Sequence, residues 1–299
     1  MKITSSQRNY IVLIVFVGFA SLVYLVLSMH RLEQTALLFV GIPVILGIAA
    51  VFTNPPNTGK GAALRTVTLG LLLAGPLLHE GFVCLLFSMP IFYAVALLVG
   101  SVIDSIRNRD EDEPRRYRYF SIALLIPFIL EGATPTLSFP REETVSVTRV
   151  VLATPSQVEA ALAQPPRITE TLPGFLRIGF PRPVDAHGSG INVGDERIIH
   201  FAGGEGRPGD LALYVAASEP GRVLFLVKSD RSKIAHWLDW RSSDVTYAAV
   251  DASHTRVTWK IGFTRRLDPS WYFRPWERYT VSKAAEYLIE SNATPPRKP

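Results

Sequence analysis

Thr255-Arg-Val-Thr-Trp-Lys-Ile-Gly-Phe263 places Val257, Trp259, Ile261 and Phe263 on one side of an extended chain and Arg256, Thr258, Lys260 and Gly262 on the other. Successive strand side chains point to opposite faces, so this alternation predicts a half-buried strand. Thr144-Val-Ser-Val-Thr-Arg-Val-Val-Leu152 carries the same period in its valines. Between the two lie Arg197–Phe201, Leu211–Val215, Val223–Lys228 and Asp244–Val250, separated by turns such as Gly203-Gly-Glu-Gly206 and Glu219-Pro-Gly-Arg222. Short sequential strands with tight turns predict an antiparallel meander.

Two helical patterns bracket these strands. Thr154-Pro-Ser-Gln-Val-Glu159 reads as a helix start with proline just inside the first turn, followed by an apolar stripe of Val158 and Leu162. From about Pro269 to Ser291, Trp276, Tyr279, Lys283 and Glu286 run with Val281, Ala284, Ala285, Leu288 and Ile289 at helical spacing. Together these residues predict an α+β domain over 139–299, closed by a long helix.

The first half addresses a different solvent. Tyr10–Ser28 is 19 uncharged residues, close to the roughly 20 needed to cross a bilayer core. Gln34–Phe52 is a second such run, ended by Asn54-Pro-Pro-Asn57. The block 64–104 has 41 residues, about 60 Å as one helix and so twice the hydrocarbon thickness. It should form two helices, near 64–79 and 82–103, with His79-Glu80-Gly81 at the hairpin. Glu80 is then a solvated turn residue or a polar docking point at the membrane surface; an intramembrane catalytic pair with His79 fits the helix lengths least. Residues 117–137 form a fifth, weaker segment, its apolar core Tyr119–Leu130 short and interrupted by Pro127, that either spans or is interfacial or re-entrant.

Residues 1–138 are therefore read as a membrane domain of about five helices. With five spans, Lys2, Arg8, Lys60, Arg65, Arg107, Arg109, Arg115, Arg116 and Arg118 share one side and Arg31 stands alone on the other. Cytoplasmic loops carry the excess of Lys and Arg. The expectation is a bacterial inner-membrane protein with its N-terminus cytoplasmic and the C-terminal domain periplasmic. If 117–137 does not span, that domain is cytoplasmic. The same placement of basic residues explains the pI of about 9.4 without a nucleic-acid partner. One cysteine, Cys84, allows no intramolecular disulfide.

The order of strand, small helix, several antiparallel strands and long C-terminal helix resembles the helix-grip fold of the START-like, or SRPBCC, superfamily of lipid-transfer domains and polyketide cyclases. The residues that carry the resemblance are VVLATPSQVEAAL (150–162), GFPRPVDAHGSGINVGDERIIHF (179–201), GRVLFLVKSD (221–230), HTRVTWKIGF (254–263) and DPSWYFRPWERY (268–279). EGFVCLLFSMPIF (80–92) also resembles the membrane half of bacterial inner-membrane proteins that carry such a domain. The resemblance implies a sheet curled round the long helix and an apolar cavity for a hydrophobic ligand or lipid.

Tyr214, Phe225, Trp259, Phe263, Trp276 and Tyr279 are the candidate cavity residues, either lining a cleft or filling a core. The segment 228–241 interleaves His236, Asp239 and Arg241 with Trp237 and Trp240. With His200, it is the candidate cavity mouth or lipid-docking surface, the alternative being a plain hairpin. No catalytic residue and no cofactor is assigned. His187, His200, His236 and His254 show no zinc-ligand spacing, and neither a GxSxG elbow nor a Walker loop occurs. A His200 or His236 paired with Asp239 or Asp195 would be a general base if the fold joined them. Two functions follow: a membrane-anchored binder of a lipid or other apolar molecule, or a tethered cyclase- or hydrolase-type enzyme. A regulatory protein with a vestigial cavity is the third.

Overall fold

The computed structural model describes residues 57–78, 82–107, 131, 138–168, 170–202 and 208–294. The chain forms two compact units, Met1–Ile129 and Leu130–Pro299. In the first, α1 (Gly59–Leu78) and α2 (Phe82–Arg107) pack on each other. They occupy the block where two helices were expected. Asp104 accepts the amide N–H groups of Gly59 and, at 3.1 Å, Lys60, placing a carboxylate at the positive end of α1. Gly100 lets the helices touch: a Cβ there would fall 2.5 Å from the Lys60 Cα. Among the described residues, one helix, Val83–Ser105, is long and apolar enough to cross a membrane. The expected spans 10–28 and 34–52, segment 117–137 apart from Glu131, and His79-Glu80-Gly81 lie outside the described residues.

The second unit begins its sheet with β1 (Glu142–Val151), followed by α3 (Pro155–Leu162), β2 (Pro183–His187), β3 (Glu196–Phe201), β4 (Gly209–Glu219), β5 (Arg222–Asp230), β6 (Leu238–Ala249) and β7 (Thr255–Arg265); α4 (Ser270–Asn292) ends it. The order across the sheet is β1-β7-β6-β5-β4-β3-β2, antiparallel throughout. The curled half-barrel and its C-terminal helix fit a helix-grip fold. The strands from β2 to β7 form the meander, and β1 closes on β7 with Val147 opposite Trp259. The β4–β5 hairpin turns at Gly221, whose φ of +79° suits glycine.

The core lies between the inward sheet face and the helices. Val257 and Phe263 on β7, Val215 on β4, and Val281, Ala285 and Ile289 on α4 have no exposed surface. Each large apolar side chain so buried contributes about 1.5–3 kcal/mol. Thr154 and Gln157 form a reciprocal capping box at α3, leaving Val158 and Leu162 for the core. Two elements depart from the sequence reading. β2, beginning with a proline, was not anticipated, since proline removes a ladder donor and fits only strand ends and edges. β6 starts at Leu238 instead of Asp244, its early half disguised by a bulge between Trp240 and Ser242.

Candidate functional site

The interior is built by register. Phe225 on β5 faces Val215 across β4 and Ser243 across β6, while Phe263 stands opposite Trp240 and Trp259 opposite Val245. Phe225, Trp259 and Phe263 are buried in the apolar core. The Trp259 indole N–H donates to Ser243 Oγ at 2.7 Å, so its polar edge is satisfied. Tyr214 adjoins the inward-facing Val215 and pairs with Leu226 and Glu196. It therefore lies on the opposite sheet face, apart from the other aromatic candidates. Trp276 and Tyr279 are on α4 and 42% and 45% exposed.

Tyr279 begins a line of aromatic contacts that leads away from the helix. Its ring meets Phe175 edge-on at 4.8 Å; Phe175 meets Phe180 at 5.4 Å, and Phe180 meets Trp237 edge-on at 5.7 Å. Edge-to-face pairs of this kind add about 0.5–1.5 kcal/mol each beyond area burial. Phe175 sits on the 3₁₀ turn Gly174–Ile178, which packs on α4, and Trp237 follows the 3₁₀ turn Lys233–His236. The row thus joins two sequence-predicted residues, Tyr279 and Trp237, through two that sequence reasoning missed. The available signal was the repeated Gly-Phe of Gly174-Phe175 and Gly179-Phe180 in a loop. Trp240 packs against the core; among the described residues its buried Nε1 has no hydrogen-bond partner. His236 is exposed.

Charge enters the interior where β7 meets α4. Arg265 is 1% exposed, and its guanidinium donates to the carbonyls of Leu267 at 3.2 Å and Pro140 at 3.3 Å. Glu277, on the buried stripe of α4 one turn before Val281, is 5% exposed. Neither of its carboxylate oxygens makes a hydrogen bond of normal geometry. Burial pushes the Glu277 carboxyl up to about 7, against the downward pull of Arg265 and the Leu267 amide. Nearby Asp268 and Glu143 add to the rise. Glu143 is itself held by Arg274 and Arg278, each at 2.6 Å, while Arg141 pairs with Asp268. A second buried arginine, Arg197 on β3, lies 4.6 Å over the Phe225 ring and donates to the carbonyls of Leu162 and, at 3.0 Å, Gly190. Burial lowers its guanidinium to about 10, which keeps it charged at neutral pH.

No family model matches the chain, and no curated protein matches it. Among solved structures, a START superfamily protein from Mycobacterium smegmatis is similar, with TM-score 0.34, 10% identity, and coverage of 50% of this chain and 92% of that one. The Zhui aromatase/cyclase from Streptomyces sp. R1128 follows with TM-score 0.30, 15% identity, and 51% and 87% coverage. Ginseng major latex-like protein 151 from Panax ginseng has TM-score 0.29, 14% identity, and 50% and 98% coverage.

The general-base pairs suggested by the sequence do not form. His200 Nδ1 lies 2.6 Å from Asp210 Oδ1 on the neighbouring strand, so its partner is neither Asp195 nor Asp239. Asp239 is taken by Arg266 at 2.9 Å and Asp195 by the Asn192 amide at 2.8 Å. Cross-strand register decides these pairings, and register spans sequence distances that local pattern does not report. Glu80 lies outside the described residues.

Proposed function

We propose that the 130–299 unit holds an apolar or amphiphilic small molecule, a lipid among them, between the inner sheet face and α4. The observation that carries this reading is the buried Glu277 carboxylate, neither of whose oxygens makes a hydrogen bond of normal geometry. Native proteins satisfy nearly all buried polar groups, and an orphan of this kind asks for a partner from outside the chain. A hydroxyl, amide or amine on an otherwise apolar ligand would supply it. Few convergent polar groups amid aromatic surface is the usual makeup of a small-molecule site.

The reading extends to the membrane. α2 exposes Leu86, Met89, Phe92, Val95, Leu98 and Ile103, a helix surface suited to lipid. We place the protein in the inner membrane of a bacterium, anchored by about five helices, with the N-terminus inside and the folded domain on the periplasmic side. A second reading, a tethered cyclase- or hydrolase-type enzyme, is favoured by one observation. A carboxyl group titrating near neutrality is poised for acid–base work. Neither reading calls on a nucleic-acid partner.

All five tryptophans lie in the 130–299 unit, so indole fluorescence of the full chain reports on this unit alone. Titration with a long-chain alcohol or amine should change that fluorescence saturably, and Glu277→Leu should weaken the response. A linear, unsaturable response unaffected by the substitution would sink the binding reading. Product formation lost in Glu277→Gln with binding retained would favour the enzyme.

A further inference from the structure

The outer face of the sheet, remote from this interior, gathers metal-ligating side chains at its β2 edge. Asp185 stands opposite His200 across β2 and β3, and His200 opposite Asp210 across β3 and β4. His187 is two residues beyond Asp185 and so shares its face. The His187 and His200 rings meet at 5.2 Å. Asp185, His187 and His200 each bring one ligand atom to within 4.8 Å of the others. Asp185 and His187 are brought to one face by strand alternation, and strand pairing adds His200.

The chemistry of this set is specific. His187 Nε2 already lies 2.8 Å from Asp185 Oδ2. Two ligands on one tetrahedral zinc ion, each about 2.1 Å from the metal, sit roughly 3.4 Å apart, so this pair would open by only about half an ångström. Asp210 supplies a second, independent element. A carboxylate 2.6 Å from His200 Nδ1 holds the proton on that nitrogen and leaves the Nε2 lone pair for a metal. This is how second-shell carboxylates orient ligating histidines. Two imidazoles in the donor set select the zinc group of ions over calcium and magnesium, which take oxygen donors.

We propose that Asp185, His187 and His200 bind one divalent transition-metal ion of the zinc class, with Asp210 as the positioning residue for His200. Three protein donors leave a coordination position facing solvent. The site is on the convex side of the sheet, so it stands or falls independently of the apolar ligand.

The test is calorimetric titration of the chelator-treated full chain with Zn2+ alone, followed by Co2+ to read the coordination geometry from visible absorption. One ion per chain is expected. His187→Ala and His200→Ala should each abolish saturable binding or weaken it by more than Asp210→Asn, which should cost about tenfold or more. The four side chains are 35–63% exposed, so these variants should fold, which circular dichroism checks. X-ray absorption at the zinc edge of the unmodified chain reads the ligands without any substitution, and two imidazoles in the shell support the site. Binding that survives loss of both histidines, a shell without imidazole, or no saturation up to about 1 mM Zn2+ overturns it. The cluster is then a set of Asp–His ion pairs along the sheet edge.

Discussion

The inward row of β7 changes character along its length. Val257, Trp259, Ile261 and Phe263 are buried carbon, apart from an indole N–H matched to Ser243, whereas Arg265, next in the same row, is equally buried and ends in a guanidinium. Glu277 repeats the contrast on α4, where it heads a stripe that continues as Val281, Ala285 and Ile289. The apolar end of the row is held by packing, which tolerates no cavity without cost. Its charged end is held by mutual compensation, since each buried ion is tolerable only while its opposites are present. The difference teaches that one row of a strand is stabilised by two unlike means.

Deleting carbon from the first end should have the largest effect. Phe263→Ala should cost about 3–5 kcal/mol, through lost burial and the cavity left behind, measured by denaturant unfolding. Arg265→Met should come close to this, at roughly 3 kcal/mol or more, because Glu277 and Asp268 lose their buried counter-charge. The double change Arg265→Met with Glu277→Leu should then recover much of that loss. A double variant no more stable than the single one would break the compensation account.

Acidity separates the two ends again. Glu277 is held at about 7 in the fold, above the ordinary value of 4.5, so the folded state binds a proton more tightly than the unfolded chain. Its contribution to stability is fully present below about pH 4.5 and is lost as pH rises through about 7, on the order of 3 kcal/mol in all. Asp230 is also raised by burial and titrates in the same direction. Subtracting the pH profile of Glu277→Gln therefore isolates the Glu277 share. An unchanged profile in that variant would remove Glu277 from the account. The smallest effect belongs to the outer sheet face. Breaking the Thr148–Thr258 hydroxyl pair, 2.8 Å apart, by Thr148→Val should cost about 0.2–1 kcal/mol.

Much of the fold was legible because its signals are local. Period-two patterning located β1 and β7, the Thr154-Pro155 start located α3, and the helical spacing near 270–291 located α4. Trp259, Phe263 and Phe225 were legible as interior residues for the same reason. Tyr214 was grouped with them for its aromatic ring, although alternation with Leu211, Leu213 and the buried Val215 turns it to the other face. Glu277 was invisible because a glutamate in a helix reads as solvated until a buried arginine is known to face it.

The sequence by itself determined most of where the chain extends and where it coils. Alternation and helical spacing are properties of a few consecutive residues, so they need no partner to be read. Only the tertiary structure decided that β1 closes on β7, that Arg265 and Glu277 share one interior, and that Asp185, His187, His200 and Asp210 stand on one face. Those juxtapositions depend on strand order and register, which bring together residues from 10 to 120 or so positions apart.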